Sequence, residues 1–424
     1  MTDANSVAGA SRPKGRRAAI VFILITVWID VLSWGVTIPV YPRLFESFTN
    51  GNVSQAAALV AAFMTLFAVI QLFAAPVLGA LSDHFGRRPV ILIACLGLGL
   101  DLFAMALMTV APNFWILLAT RVIHAVTAAS NSAAMAYVAD VTEPQDRAKS
   151  FGYMGAAFGV GFIVGPGLGG VLGGIHLGLP FLVGGVLAML NFAYGFFVLP
   201  ESLPPERRRK FEIKEANPFG VMKFLTADKV LLALAGVLFA ATLAQQVYPS
   251  VWVLYTQYRY NWGPMAVGLT LAASGVLSAI VQTTLVAPIV KRIGERRAVI
   301  LGYSMWAIGC IVGALATQPW MFLCALPLGS LAGVAGPSLS AIMSRRVSAD
   351  RQGELQGANS SMQSLTGIIG PTLFAGSFAY TTSAGALFHV PGAPLFIAAA
   401  LLVLAVVLAS SATRHTEAPA SAPA

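Results

Sequence analysis

Three charged residues stand where the surrounding sequence is otherwise apolar: Asp30 in Val-Trp-Ile-Asp-Val-Leu, Asp101 in Gly-Leu-Asp-Leu-Phe, and Arg121 in Leu-Ala-Thr-Arg-Val-Ile. A charge in hydrocarbon costs several kcal/mol unless it is paired or faces water, so residues of this kind mark functional sites by default. Burial and a neighbouring guanidinium pull a carboxylate's proton affinity in opposite directions. Asp30 and Asp101, tuned by Arg121, could therefore pass a proton from one side of a membrane to the other. The alternative is a static, structural ion pair. His124 lies one helical turn from Arg121 and reads either as a proton relay or as a packed neutral side chain.

The elements that hold these charges are membrane spans. The chain has 424 residues, 57% of them hydrophobic and only 10% charged, where a soluble domain carries about 25% charged. Its mean hydropathy is +0.77. Apolar stretches of roughly 20 residues, enough for a helix to cross the hydrocarbon core, recur along it. They predict twelve transmembrane helices at 18–39, 57–78, 90–110, 113–138, 149–172, 178–199, 230–252, 265–289, 298–317, 319–342, 355–380 and 390–412. The expected fold is an all-α integral membrane protein. Measured from these boundaries, Asp30 and Asp101 lie roughly 17–18 Å from the inner edge and Arg121 roughly 12 Å from the outer one, so all three could share a layer.

Basic residues in short loops stay cytoplasmic, which sets the orientation. With the N-terminus inside, every one of the 26 Lys and Arg except Arg43, Arg259 and the intramembrane Arg121 falls on an inner segment. The net charge of +9 is thus topological, and its scatter over many short segments excludes nucleic acid as a partner. Both termini are expected in the cytoplasm. The first span contains Asp30 and lacks a cleavage site, which distinguishes it from a secretory signal. Cys95, Cys310 and Cys324 fall inside spans and read as packing residues. His84, His176, His389 and His415 show no metal-ligand spacing, and no span holds a nucleophile and base, so neither a metal site nor an enzyme is expected.

The spans divide into two related halves. A tail at 1–17 precedes six spans (18–199), a proline-rich basic linker (200–229), six more spans (230–412) and a tail at 413–424. Gly165-Pro166 in the fifth span returns as Gly370-Pro371 in the eleventh, and the turn around Gly86 returns around Gly294. Halves of common descent place a substrate site between them near the midplane, with access alternating as they rock. The first of these turns reads Gly79-Ala-Leu-Ser-Asp-His-Phe-Gly-Arg-Arg-Pro89, a tight loop between two spans.

The pattern of Gly79, Asp83, Gly86, Arg87 and Arg88 resembles the loop motif of the major facilitator superfamily. That resemblance implies an inner latch made by Asp83, Arg87 and Arg88, to which Asp140 at the end of span 4 would also belong. Gly161, Gly165, Pro166, Gly169 and Gly170 resemble the Gly-Pro motif of the antiporting branch, where small residues let helices approach closely. Asp30 to Pro42, Leu100-Asp101, Leu199-Pro-Glu-Ser202, Asn217-Pro-Phe219, Trp252 to Thr256 and Gln352 to Gly357 extend the likeness to the tetracycline/proton antiporters over nearly the whole chain. The resemblance implies Asp30, Asp101 and Arg121 as coupling residues and Gln282 as a cavity residue. Gln71, Asn131, Gln245, Asn359 and Gln363 are further polar candidates for a cavity lining.

Two positions depart from that pattern. Ser278 stands where those exporters carry a His in span 8, and Trp306 where they carry an Asp in span 9. Any proton coupling would then rest on the N-terminal acids, and recognition of a metal-chelated drug is put in doubt. The expected function is export of a small amphiphilic compound in exchange for protons across a bacterial inner membrane. It would need no cofactor beyond the proton gradient and would work as a monomer. The alternative is a proton-coupled importer, or an exporter of an unrelated metabolite, on the same fold.

Overall fold

The computed structural model describes residues 14–128, 130–142, 146–208, 229–348 and 351–412, so most of both tails and of the linker lie outside the described residues. Among these residues the chain forms helices and no strand. A bilayer demands this, because a helix satisfies its own N–H and C=O groups where water cannot.

The first half runs α1 (Lys14–Gly35), a short α2 (Tyr41–Phe48), α3 (Val53–Phe85), α4 (Arg87–Met108), α5 (Phe114–Thr127), α6 (Ser130–Val141), α7 (Arg147–Ile175) and α8 (Leu179–Phe197). The second runs α9 (Lys229–Gln245), α10 (Val247–Tyr260), α11 (Pro264–Ile280), α12 (Val286–Leu315), α13 (Pro319–Ser330), α14 (Ala335–Arg345), α15 (Gln352–Thr382) and α16 (Ala393–Ala412). Among the described residues, eight stretches are long and apolar enough to cross a membrane. Helix occupies each of the twelve predicted segments.

The turn read from Gly79 to Pro89 is much smaller than the sequence suggests. Helix α3 runs through Gly79 to Phe85, α4 begins at Arg87, and Gly86 alone makes the corner with φ 109°. Only glycine adopts such a φ freely. Polar residues at the end of a membrane helix keep good helical geometry once they reach interfacial water, so polarity alone does not end the helix. Gly294, with φ 78° inside α12, is the matching corner of the second half.

Several spans are broken rather than continuous. The α9–α10 junction at Gln246, the π-helical turn Val281–Leu285 and the 3-10 turn Leu331–Val334 lie shortly before Pro249, Pro288 and Pro337. Each proline removes one N–H and crowds the carbonyl four residues earlier, which displaces the local hydrogen bonding. The break between α5 and α6 has another support: Gln71 Nε2 donates to the carbonyls of Ala125 and Ala128 at 2.6 and 2.8 Å.

The halves meet where α3 packs on α15 and α7 on α11. Ser54 Oγ donates to Ala379 O at 2.6 Å, the Thr65 and Thr372 hydroxyls lie 2.8 Å apart, and Gln257 reaches Glu46. These links lie toward the face opposite the Gly86 and Gly294 corners. The corner side is the basic face of the molecule.

Candidate functional site

Asp101 on α4 is 1% exposed, and Arg121 and His124 on α5 are each 8% exposed. The spacing of Arg121 and His124 puts both on one face of α5, and that face meets Asp101. Asp101 Oδ2 lies 3.4 Å from an Arg121 guanidinium nitrogen and 3.0 Å from His124 Nδ1. The guanidinium stands over the rings of Tyr41 at 5.4 Å and Phe67 at 5.8 Å, and contacts Met105 Sδ at 3.6 Å. Asp101 Oδ1 and Arg121 Nε are buried with no protein partner. A charge cluster this dry holds only while its members stay matched, since removing one partner of a buried pair costs about 3–5 kcal/mol.

Asp30 sits elsewhere. It lines a cavity of about 30 Å3 with Thr26, Val27, Val31, Ile91, Ala134 and Phe158, room for one water molecule. The equal depths read from the sequence do not bring it into the Asp101 cluster, because depth fixes a layer and not a face of the helix. His124, which the sequence left between two readings, is a direct partner of Asp101.

At the basic face, Arg87 joins two acids: its guanidinium lies 2.5 Å from Asp83 Oδ1 and donates to Asp140 Oδ2 at 3.0 Å. Ser202 Oγ also donates to Asp140, at 3.2 Å. Arg88 donates to Phe196 O and lies over the Phe196 ring at 5.8 Å. The residue that organises this corner is Glu201, to which sequence reasoning assigned no role. Its carboxylate accepts from the backbone N–H groups of Arg87 at 2.9 Å and Arg88 at 3.2 Å, and so caps the first turn of α4. Gly86 packs against this carboxylate, where a Cβ would collide. Glu201→Ala is therefore expected to lower stability by about 1–2 kcal/mol, read as an earlier thermal unfolding transition of the purified protein.

The second half repeats this ion-paired corner with its charges exchanged. Glu295 stands at the corner where the first half has Arg87, and Arg345 ends α14 where Asp140 nears the end of α6. The interval from Asp140 to Arg345 equals that from Gly165 to Gly370. Arg345 grips the Glu295 carboxylate with two nitrogens, one at 2.8 Å. This charge-assisted pairing holds the Glu295 carboxyl below the usual range.

The Gly-Pro stretch of α7 is a close-approach surface with two sides. Gly161 packs on Val31, Gly165 on Gly35 and Gly169 on the Val36 carbonyl, all of the first half. Gly170 meets Gly268 and Pro264 of α11, and the Pro166 carbonyl lies against Gly268. A Cβ on Gly165 would come within 2.9 Å of Gly35 Cα.

The polar cavity candidates scatter. Gln71 spends its amide on the α5–α6 break, and the Asn131 side chain lies outside the described residues. Gln245, Gln282 and Gln363 are exposed, Gln282 on the π-helical turn, and Asn359 is half-buried with Oδ1 unpartnered. Ser278 is half-buried. Trp306 is 6% exposed, lies parallel to Tyr248 at 6.0 Å and donates from Nε1 to its hydroxyl at 2.6 Å. Among the described residues no group of three or more His, Cys, Asp or Glu could hold a metal ion.

The family model of the Major Facilitator Superfamily matches residues 23–285 and 234–423. The chain is 38% identical over 380 residues to the class C tetracycline resistance protein of Escherichia coli, covering 89% of this chain and 94% of that one. It is 36% identical to the class G tetracycline resistance protein of Vibrio anguillarum, covering 87% and 92%. Among solved structures, a bacterial homologue of the human lysosomal transporter Spinster superposes with a TM-score of 0.74 at 16% identity, covering 98% of this chain and all of that one. The single-glycine corners, the small-residue face of α7 and these matches agree that the molecule is a multi-pass membrane transporter and not an enzyme, and that the chain belongs to the Major Facilitator Superfamily, alongside its tetracycline resistance proteins.

Proposed function

We propose that the protein is a proton-coupled antiporter that exports a small amphiphilic compound of the tetracycline kind by alternating access. The observation that carries the proton half of this reading is the Asp101 carboxylate, buried against Arg121 and His124 with one oxygen unpartnered. A proton arriving there would neutralise the one acid that pairs with Arg121 among the described residues, so the cluster would have to rearrange. Its loss toward the other side would restore the pair. The names of the relatives support the drug half.

The basic face is cytoplasmic by the positive-inside rule, with both termini on that side of a bacterial inner membrane. Asp83, Arg87, Arg88 and Asp140 in the first half, and Glu295 with Arg345 in the second, latch that face. Asp30 serves as a second acid on the proton's route, beside its water-sized cavity. Exposed glutamines at mid-span face water more readily than lipid, so Gln245, Gln282 and Gln363 line the substrate path together with Asn359. The Tyr248–Trp306 pair supplies an apolar wall in place of an acid. One chain holds both halves, so a monomer suffices, and the proton gradient is its energy source.

Expression in a drug-sensitive host that lacks its main exporters tests this reading. Resistance to tetracycline or another member of an amphiphile panel is expected, and a protonophore should abolish it along with active efflux. Resistance that survives the uncoupler would contradict proton coupling, and greater drug accumulation on expression would indicate an importer.

A further inference from the structure

One carboxylate sits where the halves meet, on the face opposite the latches. Glu46, on α2 of the first half, accepts from Gln257 on α10 of the second: Nε2 lies 3.0 Å from both carboxylate oxygens. The oxygen of that amide, Gln257 Oε1, is buried without a partner. An ionised carboxylate is acceptor-only, so it takes the amide's N–H and leaves the amide oxygen with nothing. A protonated carboxyl has an O–H to give. With the amide N–H on the carboxyl C=O and the carboxyl O–H on the amide oxygen, the two groups would close a ring and pair the orphaned atom.

We infer that Glu46 is a further proton-responsive group, a clasp that closes the outer seam on Gln257 when it takes up a proton and loosens when it loses one. The inference rests on the antiport reading above and adds a residue that none of the motifs contains.

The surroundings fit this role. Burial pushes the Glu46 carboxyl above the usual range, against the opposing effects of the Gln257 hydrogen bond and of Arg43 on its own helix. Helix α3 packs on α2, and its stretch from Val53 to Phe63 has no titratable side chain. On α10, Arg259 directs its Nε to Ala316 O at 3.3 Å, and the Tyr258 ring packs on Phe378. The sign follows from linkage. Opening the seam returns Glu46 to water and to the ordinary carboxylate range, so the closed seam binds the proton more tightly. Closure is thus favoured below the ordinary range and loses that support as pH rises through the raised value. Protons arriving at the outer face would then shut that face, the direction an antiporter needs.

Helix α2 also joins the clasp to the charge cluster. Tyr41, in its first turn, stands over the Arg121 guanidinium, and its ring lies 5.1 Å from Phe45, which meets Phe63 at 5.0 Å.

Disulfide trapping in the full-length protein tests the clasp. Thr65→Cys with Thr372→Cys, in a Cys324→Ser background, reports closure, because the two hydroxyls already touch across the seam and Cys324 is the exposed native thiol. All rates are taken relative to Glu46→Gln at the same pH, since that variant keeps a neutral partner for Gln257. With Glu46 present, the cross-linking rate is expected to be roughly one tenth of that reference near pH 8, to rise to about a quarter of it near pH 5 and to approach it below about pH 4, if closure raises proton affinity about tenfold. Gln257→Leu, unable to complete the ring, should stay below the reference at low pH, where the chain with Gln257 approaches it. The same difference should persist in Asp101→Asn, because the clasp titrates independently of the buried cluster. A relative rate that does not change with pH, a Gln257→Leu rate that reaches the reference at low pH, or loss of the effect in Asp101→Asn would each overturn the inference. If transport proved not to be coupled to protons while this difference remained, the antiport reading would fail and the clasp would stand.

Discussion

Asp101→Asn is expected to reduce proton-driven efflux to background in everted membrane vesicles while the protein still reaches the membrane. Asparagine matches the shape of the acid and can keep a hydrogen bond to His124 Nδ1, so the local packing of α4 against α5 survives. What it cannot do is gain or lose a proton, and it leaves Arg121 without its counter-charge in a dry site. The unbalanced guanidinium is expected to lower stability, by up to the roughly 3–5 kcal/mol seen when one partner of a buried pair is removed. Efflux and thermal unfolding should therefore be measured on the same preparation. Asp101→Glu restores a titratable group and should recover part of the flux. A purely structural ion pair would behave otherwise, with flux falling only in step with the amount of folded protein.

A valine at Gly268 is expected to have an equally large effect for a different reason. Its Cβ would enter the Pro166 carbonyl and lie 2.8 Å from Gly170 Cα, at the contact between α11 and α7. Each half keeps its own core, since this glycine faces the other half, so folding and membrane insertion should be close to normal. The outer seam could no longer close, and transport should fall to background. Exposure of a reporter cysteine at Thr65 to a membrane-impermeant thiol reagent should rise in this variant. Gly169→Val makes the opposite comparison: its Cβ would collide with the Val36 carbonyl inside the first half. There the loss should appear as reduced stability of about 1–3 kcal/mol or more and lower yield, the ordinary result of overpacking. If Gly268→Val transported normally, the α7–α11 contact would have no part in the cycle.

The helices were legible because hydrocarbon admits only helices and closed barrels, and continuous apolar runs, unlike the alternating pattern of barrel strands, mark each helix. Asp101 and Arg121 were legible for the same reason: a charge in such a run has few explanations. The partners were harder to read. His124 is ambiguous by sequence because a histidine at helical spacing from an arginine carries no sign of what faces it across the gap between α5 and α4. Glu201 stands 114 residues from the N–H groups it caps. It was visible as part of the Leu-Pro-Glu-Ser run, but no local rule joins an acid after α8 to the start of α4. Asp30 shows what depth leaves open: its distance from the membrane edge matches that of Asp101, while its helix turns it toward a separate water-sized cavity.

The glycines divide along similar lines. Gly86 signalled a turn, but whether eleven residues or one made that turn depended on how far α3 continues past the hydrocarbon. Pro249, Pro288 and Pro337 were in plain view, and each lies just after an irregular turn in its span. Pro76, Pro166 and Pro371 lie inside continuous helices, so proline by itself does not announce a break. Glu46 and Gln257 were beyond sequence reading altogether, because each is an ordinary polar residue near an outer loop until the halves bring them together.

In the proposed antiport, drug and proton move in opposite directions through the same molecule. Proteoliposomes containing the purified protein and a trapped pH indicator test it directly, with no imposed proton gradient and tetracycline added outside. Drug entering the vesicles should drive protons out, so that the interior becomes alkaline with the wild-type protein and does not change with Asp101→Asn. Drug movement with no pH change in the wild-type protein, or the same pH change in both, would contradict it.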